Sequence, residues 1–199
     1  ISNFNNFPKI IGESGGKNFH LIDPSYQIKE SDFKNNNLPR VILKTLEGAF
    51  NFSGQKCSAC SILYCPENLI PKIINYFKIA TLKFLSSMDN YGVIDRESYL
   101  RLITIIEDLK NDPQIEFILG GDYHSKGTYF IEPCVVICKN HDHPVFHDEF
   151  FGPILAIYPY NNLDQVIEDT LQGNKYALTG SIFSQDQNTI TKVRTQLSS

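Results

Sequence analysis

Three short segments carry side chains whose types and spacing could do chemistry. In Phe52-Ser53-Gly54-Gln55-Lys56-Cys57-Ser58-Ala59-Cys60-Ser61 a helix is expected to end at Gly54, and a thiol follows on a turn with small neighbours that would let a substrate approach. Lys56 and exposed backbone N–H groups would favour the thiolate of Cys57, which is the nucleophilic form. Gly12-Glu13-Ser14-Gly15-Gly16-Lys17-Asn18 places a carboxylate at a strand end beside paired glycines, where backbone can pass close to a ligand. In a partly apolar cleft, Glu13 could act as a general base on water. In Asp148-Glu149-Phe150-Phe151-Gly152-Pro153, a carboxylate could accept hydrogen bonds from ribose hydroxyls while an aromatic packs on a flat ring. Each segment also has a plainer reading: a half-buried thiol, a solvated turn and a loop between strands.

Other chemistry competes for the same residues. Cys57-x-x-Cys60 matches a thioredoxin-like pair or half of a zinc site. A thioredoxin-like pair would open a helix after a strand, whereas this one follows a helix. Zinc would need a second ligand pair, for which His141, Asp142, His143 and His147 are the candidates. They lie in a polar loop with Pro144, where solvated histidines are the commoner outcome. A non-catalytic interaction fragment is the third possibility.

The elements that must position these residues can be read from periodicity. Apolar strands are expected at Phe7–Ile11 and Phe19–Ile22, then a polar, Asn-rich loop over Gln27–Asn37. Pro39 suits the first turn of a helix whose apolar face carries Ile42, Leu46, Ala49 and Phe50. A strand at Ile62–Cys65 stops at Pro66, and a helix over Glu67–Lys83 carries Ile70, Ile73, Ile74, Phe77 and Ala80 on one stripe. Arg96–Lys110 repeats the helical period until Asn111-Asp112-Pro113 ends it. Ile115–Leu119, Tyr129–Cys138, Ile154–Tyr158 and Leu178–Phe183 read as strands. Leu163–Gln172, with Gly173 in the stop position, and Asn188–Leu197 read as helices. Alternating helices and apolar strands indicate an α/β domain with a largely parallel, buried sheet. No composition shift marks an internal linker, so residues 1–199 read as one unit.

Composition narrows the classes further. The 199 residues hold 18 Lys+Arg against 22 Asp+Glu, a net charge of -4 that argues against nucleic acid as a partner. No apolar run is long enough for a membrane-spanning helix, so a soluble chain is expected. Five cysteines, an odd number, favour free thiols over a disulfide framework. No targeting peptide is visible at Ile1.

Taken together and in this order, the three segments resemble the signatures of the aldehyde dehydrogenase superfamily. Within it, the Gly12–His20 and Gly54–Ser61 segments, with Tyr129–Cys134 and Leu178–Asp186, are most similar to the delta-1-pyrroline-5-carboxylate dehydrogenase branch. The resemblance implies the family's catalytic-domain fold, with Cys57 as nucleophile on an aldehyde carbon and Glu13 activating the water that hydrolyses the thioester. It implies NAD as cofactor, with Glu149 on the nicotinamide ribose, Phe151 near the nicotinamide ring and Ser14 close by through its backbone. Lys56 and Ser58 would face the carboxylate end of glutamate gamma-semialdehyde, a small-molecule substrate of proline degradation.

The resemblance also implies a mitochondrial matrix location in a eukaryote or a cytoplasmic one otherwise, homo-oligomers when full-length, and no metal. A dinucleotide-binding domain would precede this segment and a substrate-anchoring segment would follow it, so the chain is expected to be a partial catalytic domain, inactive by itself. Two stretches depart from the family pattern. Gln27–Arg40 is roughly ten residues longer, an insertion that a surface loop absorbs at modest entropic cost. Phe84-Leu85-Ser86-Ser87-Met88 replaces an expected Gly-Asp-Pro turn after Lys83.

Overall fold

In a computed structural model the described residues are 11–28, 38–87, 92–173 and 177–197, with side chains left undescribed at 81–87 and 171–173. The apolar strands assemble into one six-stranded sheet. Its strands are β1 (Asn18–Ile22), β2 (Cys60–Pro66), β3 (Ile115–Leu119), β6 (Cys134–Cys138), β7 (Ile154–Tyr160) and β8 (Gly180–Phe183). Their order is β3-β6-β7-β2-β1-β8, and every pairing is parallel except β3 with β6 at one edge. A two-stranded ribbon of β4 (Tyr123–His124) and β5 (Phe130–Ile131) stands beside it.

Helices cover both faces, which is why the central strands are apolar on both sides instead of alternating. Along β6, Cys134, Val136 and Cys138 join one core, while Val135 and Ile137 join the other. α1 (Arg40–Phe50) packs Ile42, Leu46, Ala49 and Phe50 into the second core together with Ile73 and Phe77 of α2 (Ile70–Ser87). The opposite core receives Leu102 and Ile106 of α3 (Arg96–Asn111), Val166 and Ile167 of α4 (Leu163–Gly173), and Val193 of α5 (Gln187–Leu197). The expected α/β class with a mostly parallel sheet between helices is what forms.

Several boundaries differ from the sequence expectation, each for a local reason. Tyr129–Cys138 is not one strand: Pro133 has no N–H for a ladder, so β5 pairs with β4 and only Cys134–Cys138 enters the main sheet. The last strand starts at Gly180, two residues late, because the N–H groups of Leu178 and Thr179 both donate to the Asn18 side chain. α2 begins with a short 3₁₀ turn over Glu67–Leu69 and continues four residues past Lys83, where no Gly or Pro interrupts it. Residues 7–10 of the expected strand at Phe7–Ile11 and most of the Gln27–Asn37 loop lie outside the described residues. No helix among the described residues is long and apolar enough to cross a membrane.

Candidate active site

All three chemical segments precede strands. Glu13–Lys17 leads into β1, Gln55–Ala59 into β2 and Asp148–Pro153 into β7, with Ala177–Thr179 leading into β8 beside them. Parallel β1, β2, β7 and β8 are adjacent in the sheet, so the four segments gather at its amino edge. Open α/β sheets usually hold ligands at the opposite, carboxyl edge.

Glycines let these segments touch. Gly16 N–H donates to Glu149 Oε1 at 2.9 Å, and a Cβ on Gly15 would overlap that carboxylate. A Cβ on Gly16 would stand 2.9 Å from the Cys57 carbonyl oxygen, closer than packing allows. Before Cys57 the chain turns through three successive left-handed residues, Phe52, Ser53 and Gly54, with φ of 57°, 56° and 66°. At Gly54 the backbone lies against the Gly152 carbonyl, leaving no room for a Cβ. Paired-glycine, cysteine and Glu-Phe-Phe-Gly segments therefore share one surface, with a small cleft of about 20 Å³ between Gly16, Lys56, Cys60, Glu149 and Phe151.

Cys57 is the exposed thiol, whereas Cys60, Cys65, Cys134 and Cys138 are buried. Burial pushes the Cys60 and Cys134 thiols up to about 12 and Cys65 upward as well, since a thiolate there would lose its hydration. Glu149 and Ser58 are exposed, and Phe151 is 42% exposed with φ 51°. The Lys56 ammonium lies over the Phe52 ring, 5.7 Å from its centre. Glu13 and Ser14 are exposed in the irregular lead-in to β1 and reach the cluster only through the adjoining Gly15-Gly16. Among the described residues Glu13 makes no hydrogen bond or ion pair, so its position relative to Cys57 comes from the backbone alone.

Residues to which the sequence reading assigned no role hold the cluster together. Asn18, 1% exposed, donates from Nδ2 to the carbonyl oxygens of Cys57 (2.8 Å) and Ala59 (3.0 Å). Its Oδ1 accepts from Leu178 and Thr179 N–H at 2.9 and 2.8 Å. Gln55 fixes the other flank: Nε2 donates to Phe52 O at 2.9 Å and Oε1 accepts from Ile94 N–H at 2.8 Å. Arg101 of α3 donates to Phe150 O at 2.7 Å and tethers the third segment. The available signal was a polar Asn at the start of a strand expected to be buried, where every polar atom needs a partner.

The alternative chemistries find no geometry here. Cys60 is the first residue of β2 and packs in the core, away from the exposed Cys57 turn, so the pair does not open a helix as a thioredoxin-like motif would. No group of three His, Cys, Asp or Glu among the described residues could hold a metal. His143 is buried, accepting Val145 N–H at Nδ1 and bonding Asp112 through Nε2, while His141 bonds Tyr64 and stacks on Phe146.

A helix-flanked, mostly parallel sheet that gathers an exposed thiol, a glycine pair and a carboxylate at its amino edge defines a cysteine-bearing α/β domain. Comparison with known proteins makes the class specific: the aldehyde dehydrogenase family model matches residues 2–199, and the chain belongs to that family. It is 34% identical over 96% of its length to the human mitochondrial delta-1-pyrroline-5-carboxylate dehydrogenase, covering 34% of that protein. To the Dictyostelium discoideum protein of the same name it is 38% identical over 91% of its length, covering 32% of that relative. Among solved structures, the Mycobacterium tuberculosis delta-pyrroline-5-carboxylate dehydrogenase bound with NAD and cobalamin superposes with a TM-score of 0.81 at 25% identity. That match covers 98% of this chain and 35% of the other. The chain thus spans about a third of the length of the curated relatives it matches.

Proposed function

We propose that this chain supplies the nucleophile-bearing part of an NAD-dependent aldehyde dehydrogenase that oxidises glutamate gamma-semialdehyde to glutamate in proline degradation. The observation that supports the reading is the shared surface of Gly16, Glu149 and Cys57, where the backbone of the thiol-bearing turn and an exposed carboxylate both lie against the glycine pair. The residues present fit the cofactor: Glu149 carries an exposed carboxylate whose Oε1 is held by the Gly16 N–H, Phe151 stands exposed beside it, and Gly15 is exposed with no side chain to obstruct the approach. NAD, when bound, accepts the hydride. Relatives named as delta-1-pyrroline-5-carboxylate dehydrogenases support the choice of substrate. The mitochondrial names of the eukaryotic relatives support a mitochondrial location in a eukaryote.

In this reading the Cys57 sulfur forms a bond to the aldehyde carbon, and the aldehyde oxygen takes the developing negative charge. After oxidation of that carbon, Cys57 carries the acyl group as a thioester. Glu13 takes a proton from water as it attacks the thioester carbon, the carbon–sulfur bond breaks, and glutamate leaves with the thiol restored. Lys56 and Ser58 flank the sulfur on the substrate side, and Ser14 presents its backbone to the cofactor. The activity belongs to the full-length protein, which would form homo-oligomers; the 199-residue chain, spanning about a third of its relatives' length, should yield no NADH by itself.

The test is to incubate the full-length protein with NAD and glutamate gamma-semialdehyde, quench it, and map the acyl adduct by mass spectrometry. An adduct on Cys57 and its loss in Cys57→Ser are expected. NADH formation that survives Cys57→Ser would overturn the mechanism, and no preference for this substrate over a simple alkyl aldehyde would overturn the substrate.

A further inference from the structure

Lys17 lies directly beneath the cofactor-side segment and is only 2% exposed, a rare position for an ammonium group. Its Nζ sits 4.8 Å from the centre of the Phe150 ring. The carboxylates of Asp148 and Glu149, on the same loop, attract it. We propose that Lys17 is a positioning residue, its buried charge holding the Asp148-Glu149-Phe150 loop so that the Glu149 carboxylate stays at the cleft to bind the cofactor ribose. This inference rests on the ribose role proposed above for Glu149.

The geometry has two anchors on one short stretch. Gly16 N–H holds one oxygen of the Glu149 carboxylate, and the next residue places a cation under the adjacent ring. An ammonium over an aromatic face gains more when both are desolvated, so the pair fixes Phe150 as well as attracting the flanking acids. Burial lowers the Lys17 pKa to about 8, the two carboxylates opposing that shift. The other groups facing this site are Lys56 from the cysteine turn, Cys60 from β2 and Arg101 from α3. Cys60 stays neutral below about 12, so it supplies no transition near neutrality. As pH rises through about 8 Lys17 loses its proton, and the hold on the loop loosens.

The experiment measures the NAD dissociation constant of the full-length protein by fluorescence, from about pH 7 to about pH 9.5, across the Lys17 transition. Hydrogen exchange of residues 148–152 is followed without cofactor. Wild type should bind several-fold more weakly at the alkaline end. Lys17→Met should bind on the order of tenfold more weakly at neutral pH, show no such pH dependence, and exchange faster over 148–152. Lys17→Arg should keep most of the affinity and hold it through alkaline pH, and with the wild-type profile it carries the test should Lys17→Met fail to fold.

A wild-type profile flat across the range, Lys17→Met retaining the wild-type profile, or Lys17→Arg binding as weakly as Lys17→Met would overturn the inference. Glu149→Gln, run in parallel, separates the two levels. Unchanged NAD affinity in that variant overturns the ribose role and this inference with it. Weakened affinity there, with wild-type behaviour in Lys17→Met, overturns the Lys17 inference alone.

Discussion

Asn18 Nδ2 donates to the carbonyl oxygen of Cys57 at 2.8 Å across 39 positions of sequence, tying the first residue of β1 to the exposed thiol's own backbone. With all four bonds of its amide satisfied, Asn18 acts as a pin between the lead-ins to β1, β2 and β8. Asn18→Asp turns the two donors into acceptors facing carbonyl oxygens, which should cost about 3 kcal/mol or more for a buried charge left facing acceptors. Asn18→Ala should cost roughly 1–3 kcal/mol. Denaturant unfolding of the two variants measures this, and an Asn18→Asp as stable as wild type would mean that the pin is dispensable.

Cys57 should react first with iodoacetamide in the folded protein, because the four other thiols are buried. Peptide mapping after limited labelling checks it. Dominant labelling at Cys60, one strand position into the core, would contradict the placement of the turn.

Gly15→Ala should drive the Glu149 carboxylate off the Gly16 amide, since the new methyl group would occupy its place. Loss of NAD affinity in the full-length protein should exceed loss of stability, because Gly15 is exposed and outside any helix or strand. Gly54→Ala should behave in the opposite way. Its φ of 66° and the Gly152 carbonyl make the methyl group a folding problem of about 1–3 kcal/mol, read as a lower melting temperature.

Glu13→Gln in the full-length protein should slow thioester hydrolysis more than acylation, since hydride transfer needs no base once the thiolate exists, whereas water attack does. Rapid-quench kinetics should show a burst of about one NADH per site followed by slow turnover. Equal loss of both phases would place Glu13 in activation of Cys57 instead.

His20 carries a pH dependence of stability. Burial lowers its pKa from 6.5 to about 4, its ring lying against Phe183 with Nδ1 bonded to Thr45 Oγ1. Between those values the unfolded chain binds a proton that the folded chain refuses, so stability is full above 6.5 and falls as pH drops toward 4. The loss should be at most about 3 kcal/mol and absent from His20→Asn. Unfolding free energies measured across that range in both proteins decide it.

Much of this architecture was legible in the sequence because it rests on local signals. Ile42, Leu46 and Phe50 recur at helical spacing and do line one core, and the unbroken apolar run Cys134–Cys138 marks a strand buried on both faces. Cys57, Glu13 and Glu149 stood out because unusual residue types beside glycines are visible without coordinates. Tyr129–Cys138 divided at Pro133 for a reason also local, though the partner exchange that follows depends on which strands lie alongside. What only the tertiary structure decided is the company these residues keep. Sheet order makes the lead-ins to β1, β2, β7 and β8 neighbours, and no periodicity encodes that order. The pairings of Asn18 with Cys57 and of Gly16 with Glu149 span 39 and 133 positions. They exist because a buried amide and a carboxylate find partners only where folding closes such distances, and chain composition carries no record of them.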